Sequence, residues 1–219
     1  YDNPNSPIAN ARLILSKKKE LFLIANENNL KNLILDKKIK KKQILSIKSL
    51  PQFLYNLEGK NFIIDNKTCS IFYEKIIKSK FNILKFDDPV YELKSIKNSS
   101  EIKHMIEAHK KDGLALTRFI YWIKNVNKKK ITEVYAQNKL EKFRKLNKDY
   151  LFPSFDTIAG AGSNGAIVHY RANKKTTKKI EQRDILLLDS GGQYHYGTTD
   201  VTRTCLLYTS DAADELSRV

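Results

Sequence analysis

Two carboxylates, eleven positions apart, are the residues of this chain best suited to chemistry. Asp189 ends the apolar run that begins at Ile185 and is followed by Ser-Gly-Gly, and Asp200 follows Gly197-Thr-Thr. Two strands folded against each other would hold both carboxylates at one end of a hairpin, and hard divalent cations prefer such oxygen ligands. The pair indicates half of a two-metal site, because two ions roughly 3.5–4 Å apart need more than two ligands.

Each of these residues also has a simpler interpretation. Asp is common in turns, so Asp189 and Asp200 could each cap one. The aliphatic run before Asp189 argues for a partner, since a charge at the end of a buried strand is costly when it is alone. His169 ends a further apolar run and could donate or accept a proton near such a site, or could be a buried histidine bonded to backbone.

The first part of the sequence predicts a small α/β domain. Short apolar runs between polar breaks are typical of strands, and two longer segments are typical of helices. The expected strands are 11–15, 21–24, 32–35, 43–47, 62–65 and 81–86, and the expected helices are 51–57 and 68–78.

After Asp87-Asp88-Pro89 the pattern changes to two long helices and then to strands. Apolar residues at spacings of three and four, Ile102 and Ile106 among them, predict an amphipathic helix capped by Ser99 or Ser100. A second helix is expected at 133–146, capped by Thr132. The strands expected beyond it are 155–159, 166–170, 184–189 and 197–203. The interpretation is an α/β (α+β) chain with one domain at 1–93 and a second at 94–204.

The last fifteen residues differ from the rest in composition. Residues 205–219 contain no Lys, Ile or Asn, the residue types in which the rest of the chain is rich. Back-translated, Cys205 to Glu215 reads as a sequencing-library adapter. We therefore expect 205–219 to be an artefact tail that contributes nothing to the fold. Because Met105 is the only methionine, we also expect the chain to be part of a longer protein.

Composition limits the partners and the compartment. The formal net charge is +16, but 33 of the 40 basic residues are Lys, whereas nucleic-acid recognition favours Arg. High shares of Lys, Ile and Asn in one sequence are typical of an AT-rich genome. The positive charge therefore has a simpler origin than nucleic-acid binding, and no specific nucleic-acid partner is predicted. No apolar run approaches membrane-spanning length, so no membrane partner is expected either. Cys69 is the only cysteine outside the tail, which indicates a reducing cytoplasm.

Several motifs resemble one peptidase family. Asp189-Ser-Gly-Gly-Gln-Tyr, Gly197-Thr-Thr-Asp200-Val-Thr-Arg-Thr204 and Asn164-Gly-Ala-Ile-Val-His169-Tyr170 resemble aminopeptidase P, the Xaa-Pro aminopeptidase of the creatinase and methionine-aminopeptidase superfamily. The segment from Asn98 to Gly113 resembles the helix that opens the catalytic domain of that family. Pro4 to Leu15 is similar to the start of its creatinase N-terminal-like domain.

The resemblance implies a creatinase N-terminal-like α/β domain followed by an incomplete pita-bread catalytic domain. It implies two divalent ions, usually Mn²⁺, held by two Asp, one His and two Glu, with Asp189 binding one ion and Asp200 bridging both. His169 would be the histidine that binds substrate and shuttles a proton. The substrates would be peptides with an Xaa-Pro N-terminus, and the complete protein would be a homodimer.

Three points remain open from the sequence. The remaining His and both Glu lie downstream in the family, so this 219-residue chain is expected to be inactive. The family often has Asp where this chain has Tyr196, a departure that removes none of the expected ligands. A non-catalytic pita-bread module that binds peptides or histones is the alternative, although it need not keep Asp189, Asp200 and His169. Creatinase itself fits the motif around Asp200 less well.

Overall fold

The computed structural model describes residues 4–6, 10–127 and 131–207 of the 219-residue chain. The chain divides into two compact units, Tyr1–Lys97 and Asn98–Val219. This division lies four residues beyond the boundary expected after residue 93. The mixed α/β class is as predicted from the sequence.

The first unit contains five strands and four α-helices among its described residues. In chain order they are β1 (Arg12–Leu15), β2 (Leu21–Ile24), α1 (Lys31–Leu35), β3 (Ile44–Leu45), α2 (Leu50–Asn56), β4 (Asn61–Ile64), α3 (Ile71–Lys78), β5 (Asn82–Lys85) and α4 (Pro89–Ser95). Strand β2 pairs antiparallel with β1 and parallel with β3, while β4 and β5 form a separate parallel pair. The apolar faces of α2 and α3 meet these strands in a core that includes Ile24, Leu54 and Phe81.

One strand prediction in this unit is wrong. Residues 32–35 lie in α1 and not in a strand. A 3₁₀ turn at Glu27–Leu30 precedes this helix, and the Asn26 side chain accepts a hydrogen bond from the Asn28 N–H at its start. An Asn that caps a turn in this way begins a helical segment, because its oxygen satisfies an N–H that the helix leaves unpaired.

Two helices open the second unit. The N-cap of helix α5 (Ser99–Asn125) is Asn98, one residue before the first of the two expected caps, and Asn98 and Glu101 form a reciprocal capping box. Helix α6 (Glu133–Arg144) has the expected cap, with Thr132 Oγ1 accepting from the Tyr135 N–H at 3.2 Å. The apolar positions Ile102 and Ile106 are about half exposed, so the predicted stripe is wrong at the start of α5. Its buried side chains are Ala108, Asp112, Ala115, Leu116, Phe119 and Ile123.

Two antiparallel sheets follow the helices. The strands are β6 (Tyr150–Pro153), β7 (Ile158–Ala161), β8 (Ile185–Ser190), β9 (Gly192–Tyr194), β10 (Gly197–Thr198) and β11 (Val201–Leu206). One sheet has the order β10-β9-β6 and the other the order β11-β8-β7. The second sheet buries Leu186 and Leu188 of β8 against Phe119, Ile123 and Leu140 of the two helices.

The strand expected at 166–170 is absent. Gly162–Ala166 forms a 3₁₀ turn, and the chain then bends through His169, whose φ is +54°. The side chains of Ile167 and Val168 are 53% and 82% exposed, so this apolar run does not enter the core. We call residues 162–170 the His169 turn.

The strand β11 continues past the point at which the foreign tail was expected to begin. Cys205 pairs with Leu186, and Leu206 pairs with Ile185. Cys205 and Leu207 are buried in the main core of this unit, at 7% and 4% exposure. The expectation that the tail contributes nothing to the fold is therefore wrong for residues 205–207. Residues 208–219 lie outside the described part of the chain.

Candidate active site

Asp189 lies on the face of the β11-β8-β7 sheet that points away from the helices. Along β8 the burial alternates, with Leu186, Leu188 and Ser190 buried and the residues between them more exposed. Side chains alternate between the two faces of a strand, so Asp189 shares its face with Leu187. Thr202, directly opposite on β11, donates a hydrogen bond from Oγ1 to Asp189 Oδ1 at 2.7 Å.

Asp200 directly precedes β11, two residues before Thr202. It directly precedes Val201, which pairs with Ser190, and it is exposed. The backbone positions of Asp189 and Asp200 therefore lie near the same end of the β8–β11 pair, and the meeting of their carboxylates stays a prediction. The hairpin of β9 and β10 joins these two positions.

Buried contacts of Thr199 fix the backbone next to Asp200. Thr199 is fully buried, and its Oγ1 accepts from the Gly192 N–H at 2.9 Å while its N–H donates to the Gly192 carbonyl. Ser154 Oγ donates to the Thr199 carbonyl at 2.8 Å. A Cβ at Gly191 would overlap both Thr199 O and Ser154 Oγ. The close crossing of the two strands thus requires glycine at 191.

A buried ion pair holds the backbone next to Asp189. Arg144 donates through Nε and Nη2 to both carboxylate oxygens of Asp112, at 2.7 and 3.1 Å, and through Nη2 to Ser190 Oγ at 3.0 Å. Tyr194 completes the cluster by donating from its hydroxyl to Asp112 Oδ1 at 2.9 Å. Burial and the Asp112 carboxylate raise the pKa of Tyr194 well above its usual value. The cluster ties α5 and α6 to the end of β8.

The His169 turn lies on the Asp189 face of the sheet. Gly160 pairs with Leu187, and a Cβ on Gly160 would come within 2.8 Å of Gly165 Cα. A Cβ on Gly165 would in turn lie 3.4 Å from Leu187 Cβ. Leu187 and Asp189 are on one face, so the turn that carries His169 rests on that face. The His169 side chain is exposed, which excludes the buried, backbone-bonded interpretation.

A carboxylate on α6 holds both ends of the turn. Glu133 is fully buried, and its oxygens accept from the Ala161 N–H, Asn164 Nδ2, the Tyr170 hydroxyl and the Lys178 N–H at 2.7 to 3.0 Å. Burial and the hydrogen bond to Glu133 raise the pKa of Tyr170 to about 12. The hydroxyl therefore remains a donor over the whole physiological range of pH.

Tyr196, the departure from the expected motif, belongs to a separate cluster. Lys111 Nζ donates to Asp149 Oδ2 at 2.6 Å and also to the Tyr196 hydroxyl, which itself donates to Asp149 at 3.2 Å. The ion pair with Asp149 and the bond to Tyr196 raise the pKa of Lys111, and Lys111 lowers the pKa of Asp149. Tyr196 thus attaches the β9–β10 turn to α5.

The donor set suits a hard cation but is incomplete within this chain. Asp189 and Asp200 offer carboxylate oxygens, the ligand chemistry that divalent ions such as Mn²⁺ accept. Across the described residues, no group of three or more His, Cys, Asp or Glu side chains could hold a metal ion. Two carboxylates alone are too few for a binuclear centre.

Comparison with known proteins identifies the family. Residues 103–219 match the model of metallopeptidase family M24. The chain belongs to this family. It is 43% identical over 132 residues to a probable Xaa-Pro aminopeptidase P of Sordaria macrospora, covering 59% of this chain and 22% of that protein. It is 45% identical over 118 residues to the Xaa-Pro aminopeptidase ApepP of Drosophila melanogaster, covering 53% of this chain and 19% of that protein.

A solved structure extends the similarity over both units. The X-prolyl aminopeptidase of Caenorhabditis elegans, described as a cytosolic enzyme with a di-nuclear active site, superposes with a TM-score of 0.81 at 25% identity. The match covers 96% of this chain and 35% of that one. The expected α/β fold with a partial pita-bread domain is confirmed. The M24 chain spans about a fifth of the length of the curated relatives it matches.

Sequence reasoning missed the buried anchors of this M24 site. It did not single out Glu133, Asp112 or Arg144, although a signal was present in the spacing. Arg144 lies four residues after buried Leu140, and Asp112 lies four residues after buried Ala108. An ionisable side chain on the buried stripe of a helix needs a partner, so such a position predicts an internal ion pair or a buried hydrogen-bond acceptor.

Proposed function

We propose that this chain is part of an aminopeptidase that removes the N-terminal residue from peptides with proline in the second position. The observation that supports the proposal is that Asp189 shares a sheet face with Leu187, on which the His169 turn rests, and that Asp200 directly precedes the strand paired with β8. The relatives named as Xaa-Pro aminopeptidases support the same substrate class. A pure binding module would have no need of these three side chains together.

In this proposal Asp189 and Asp200 are two of the ligands of a binuclear site, with Mn²⁺ as the expected metal. The bound ions would supply an activated water for attack on the scissile carbonyl. Asp200 would be a ligand shared by the two ions, and Asp189, which accepts a hydrogen bond from the Thr202 hydroxyl, would hold one of them. Two carboxylates are too few ligands for two ions, so we expect the 219-residue chain itself to have no aminopeptidase activity.

His169 acts on the substrate in this proposal. Its exposed ring binds the peptide near the scissile bond and delivers a proton to the departing imino nitrogen. A prolyl nitrogen has no N–H, and its ring fixes the chain direction, so a pocket shaped for the ring can select it. The cytoplasm is the proposed compartment, and a homodimer is the proposed state of the complete protein. Within the described residues, no helix is long and apolar enough to cross a membrane.

The test uses the complete gene product and separates metal binding from proton transfer. Asp200→Ala should abolish bound metal and hydrolysis of an Xaa-Pro dipeptide, because a bridging carboxylate serves two cations. His169→Ala should leave the metal content unchanged and lower kcat by roughly 10²–10⁴-fold, the usual contribution of a general acid or base. Metal analysis and initial rates with added Mn²⁺ measure both effects.

Two substitutions of the same chemical types serve as controls. Asp156→Ala removes an exposed carboxylate that pairs with exposed Arg171 near the same sheet, and His195→Ala removes another exposed histidine. Both should retain metal and rate. Hydrolysis by the 219-residue chain that depends on Asp189 and Asp200 would contradict its proposed inactivity. Loss of metal in His169→Ala would contradict the role given to His169.

A further inference from the structure

Among the described residues of the second unit, Asp112 and Glu133 have fully buried carboxylates. Asp112 bonds to Arg144 and Tyr194, whereas Glu133 bonds to residues in and around the His169 turn. Its side chain accepts hydrogen bonds from Ala161 directly before the His169 turn, from Asn164 and Tyr170 within it, and from Lys178 beyond it. Oε1 accepts from the Ala161 N–H at 2.8 Å and from Asn164 Nδ2 at 3.0 Å. Oε2 accepts from the Tyr170 hydroxyl at 2.7 Å and from the Lys178 N–H at 2.8 Å.

These donors enclose the turn. Ala161 directly precedes it, Asn164 lies inside it, and Tyr170 ends it one residue after His169. Asn164 Nδ2 also donates to the Tyr170 hydroxyl at 2.9 Å, so the two ends of the turn are connected to each other as well as to Glu133. A carboxylate accepts up to about four hydrogen bonds. These four donors therefore fill the acceptor capacity of Glu133.

Few other described hydrogen bonds hold the His169 turn in place. Ile167, Val168 and His169 are exposed, and the non-glycine residue His169 has a φ of +54°, a conformation that residues with a Cβ disfavour. The described backbone hydrogen bonds within the turn run from the Ile167 N–H to Asn164 O and from the Tyr170 N–H to Ile167 O, each at 3.2 Å. A backbone conformation of this kind is kept only when surrounding contacts hold the residue in it.

We infer that Glu133 is a positioning residue that holds the His169 turn on the Asp189 face of the sheet. The inference rests on the proposed function, because it gives the buried carboxylate a role in presenting the proton-transferring histidine. Helix α6 thereby sets the position of a residue with which it has no direct contact among the described interactions. Removing the carboxylate would release the turn without touching Asp189 or Asp200.

The first experiment needs no activity and uses the 219-residue chain. Glu133→Gln keeps the side-chain shape, but its NH₂ group faces at least one backbone N–H and cannot accept from it. The Ile167 and Tyr170 amides, neither of which contacts Glu133, should exchange with solvent roughly tenfold faster, as expected from loss of a buried hydrogen bond. The ¹³C shifts of His169, which report its positive φ, should move toward those of an average over several conformations.

The matched control is Glu141→Gln on the same helix. Glu141 Oε2 also accepts from a tyrosine hydroxyl, that of Tyr150, at 2.6 Å, and its contacts lie away from the turn. This variant should leave the Ile167 and Tyr170 amides and the His169 shifts unchanged. If Glu133→Gln does not fold, Tyr170→Phe replaces it, because this variant removes one bond to Glu133 and keeps the ring. Unchanged exchange and shifts in a folded Glu133 or Tyr170 variant would overturn the inference.

The second experiment connects the turn to catalysis in the complete gene product. Glu133→Gln should lower kcat/KM for an Xaa-Pro peptide and leave bound metal unchanged. In a Glu133→Gln/His169→Ala double variant the rate should equal that of His169→Ala alone, because the anchor acts through the histidine. If the losses of rate in the two single variants add up in the double variant, Glu133 does not act through His169. No hydrolysis by the unsubstituted protein would contradict the proposed function, and the exchange experiment would still decide whether Glu133 holds the turn.

Discussion

At the scale of single residues, each candidate site residue has a buried polar neighbour that fixes its backbone. Ser190 follows Asp189 and accepts from Arg144, while Thr199 precedes Asp200 and is bonded to Gly192. Tyr170 follows His169 and donates to Glu133. Groups that act on a substrate must remain partly accessible, so rigidity has to come from the adjacent residue. A site built in this way keeps its geometry without burying its own reactive atoms.

The sequence could reveal the reactive residues and not their anchors. Asp189, Asp200 and His169 stand next to glycine-rich turns and apolar runs, a local pattern that is readable in a few positions. The anchors depend on partners far along the chain: Arg144 meets Asp112 across 32 positions and Ser190 across 46. Pairings of that length depend on how the helices pack against the sheet, which local spacing does not specify.

The ion pair of Asp112 and Arg144 leads to a stability prediction. Both side chains are fully buried, so Asp112→Asn leaves the Arg144 cation without its counter-ion and should cost about 3–5 kcal/mol of unfolding free energy. Urea unfolding followed by tryptophan fluorescence measures the loss.

Two further variants test the cause. An Asp112→Asn/Arg144→Met double variant should recover part of the stability, because the buried charge is gone. Asp149→Asn removes the partly exposed carboxylate that pairs with Lys111 and should cost less. A loss in Asp112→Asn no larger than that in Asp149→Asn would contradict this account.

At the scale of helices and strands, periodicity predicted most elements and failed where capping or distant contacts decided the structure. The strands β2, β4 and β5 and the helices α2, α3, α5 and α6 lie where the apolar pattern indicated, with ends shifted by a few residues. The segment 32–35 became a helix because a capped 3₁₀ turn leads into it. The run at 166–170 became a turn because Tyr170 is held by Glu133, a contact across 37 positions.

The end of β11 gives a prediction about the boundary of the fold. A chain that ends at Thr204 should have a thermal midpoint several degrees below that of a chain that ends at Leu207. Leu207 is 4% exposed, and burial of one such side chain contributes about 1.5–3 kcal/mol, while each kcal/mol moves the midpoint by about 2–4 °C at this size. The shorter chain also loses the pairing of Cys205 with Leu186.

Calorimetry on the two purified chains measures the difference. Leu206→Ala in the longer chain is the control, because this side chain is 40% exposed and its truncation should lower the midpoint less. Equal midpoints for the chains ending at Thr204 and Leu207 would show that β11 needs no residue beyond Thr204.

At the scale of the whole molecule, the net charge of +16 is distributed along the sequence. Lysines occur in both units, as exposed residues of the run 37–42 and around 174–179. Surface ion pairs such as Lys38 with Asp36 and Lys41 with Glu27 neutralise part of the first run. A charge distribution of this kind attracts any polyanion through its phosphates and carries no information about base sequence.

Duplex DNA should therefore bind weakly and without sequence preference. Each phosphate contact contributes a slope of about −0.9 in the plot of log K against log salt, so the binding should be lost between about 50 and 200 mM salt. Replacing Lys40, Lys41 and Lys42 with Ala should weaken binding at low salt to the same extent as replacing Lys174, Lys175 and Lys179, because neither set forms a reading site. Fluorescence anisotropy with two unrelated duplexes measures both points. Selective binding that persists at 200 mM salt, or a loss confined to the first set, would instead identify residues 37–42 as a nucleic-acid site.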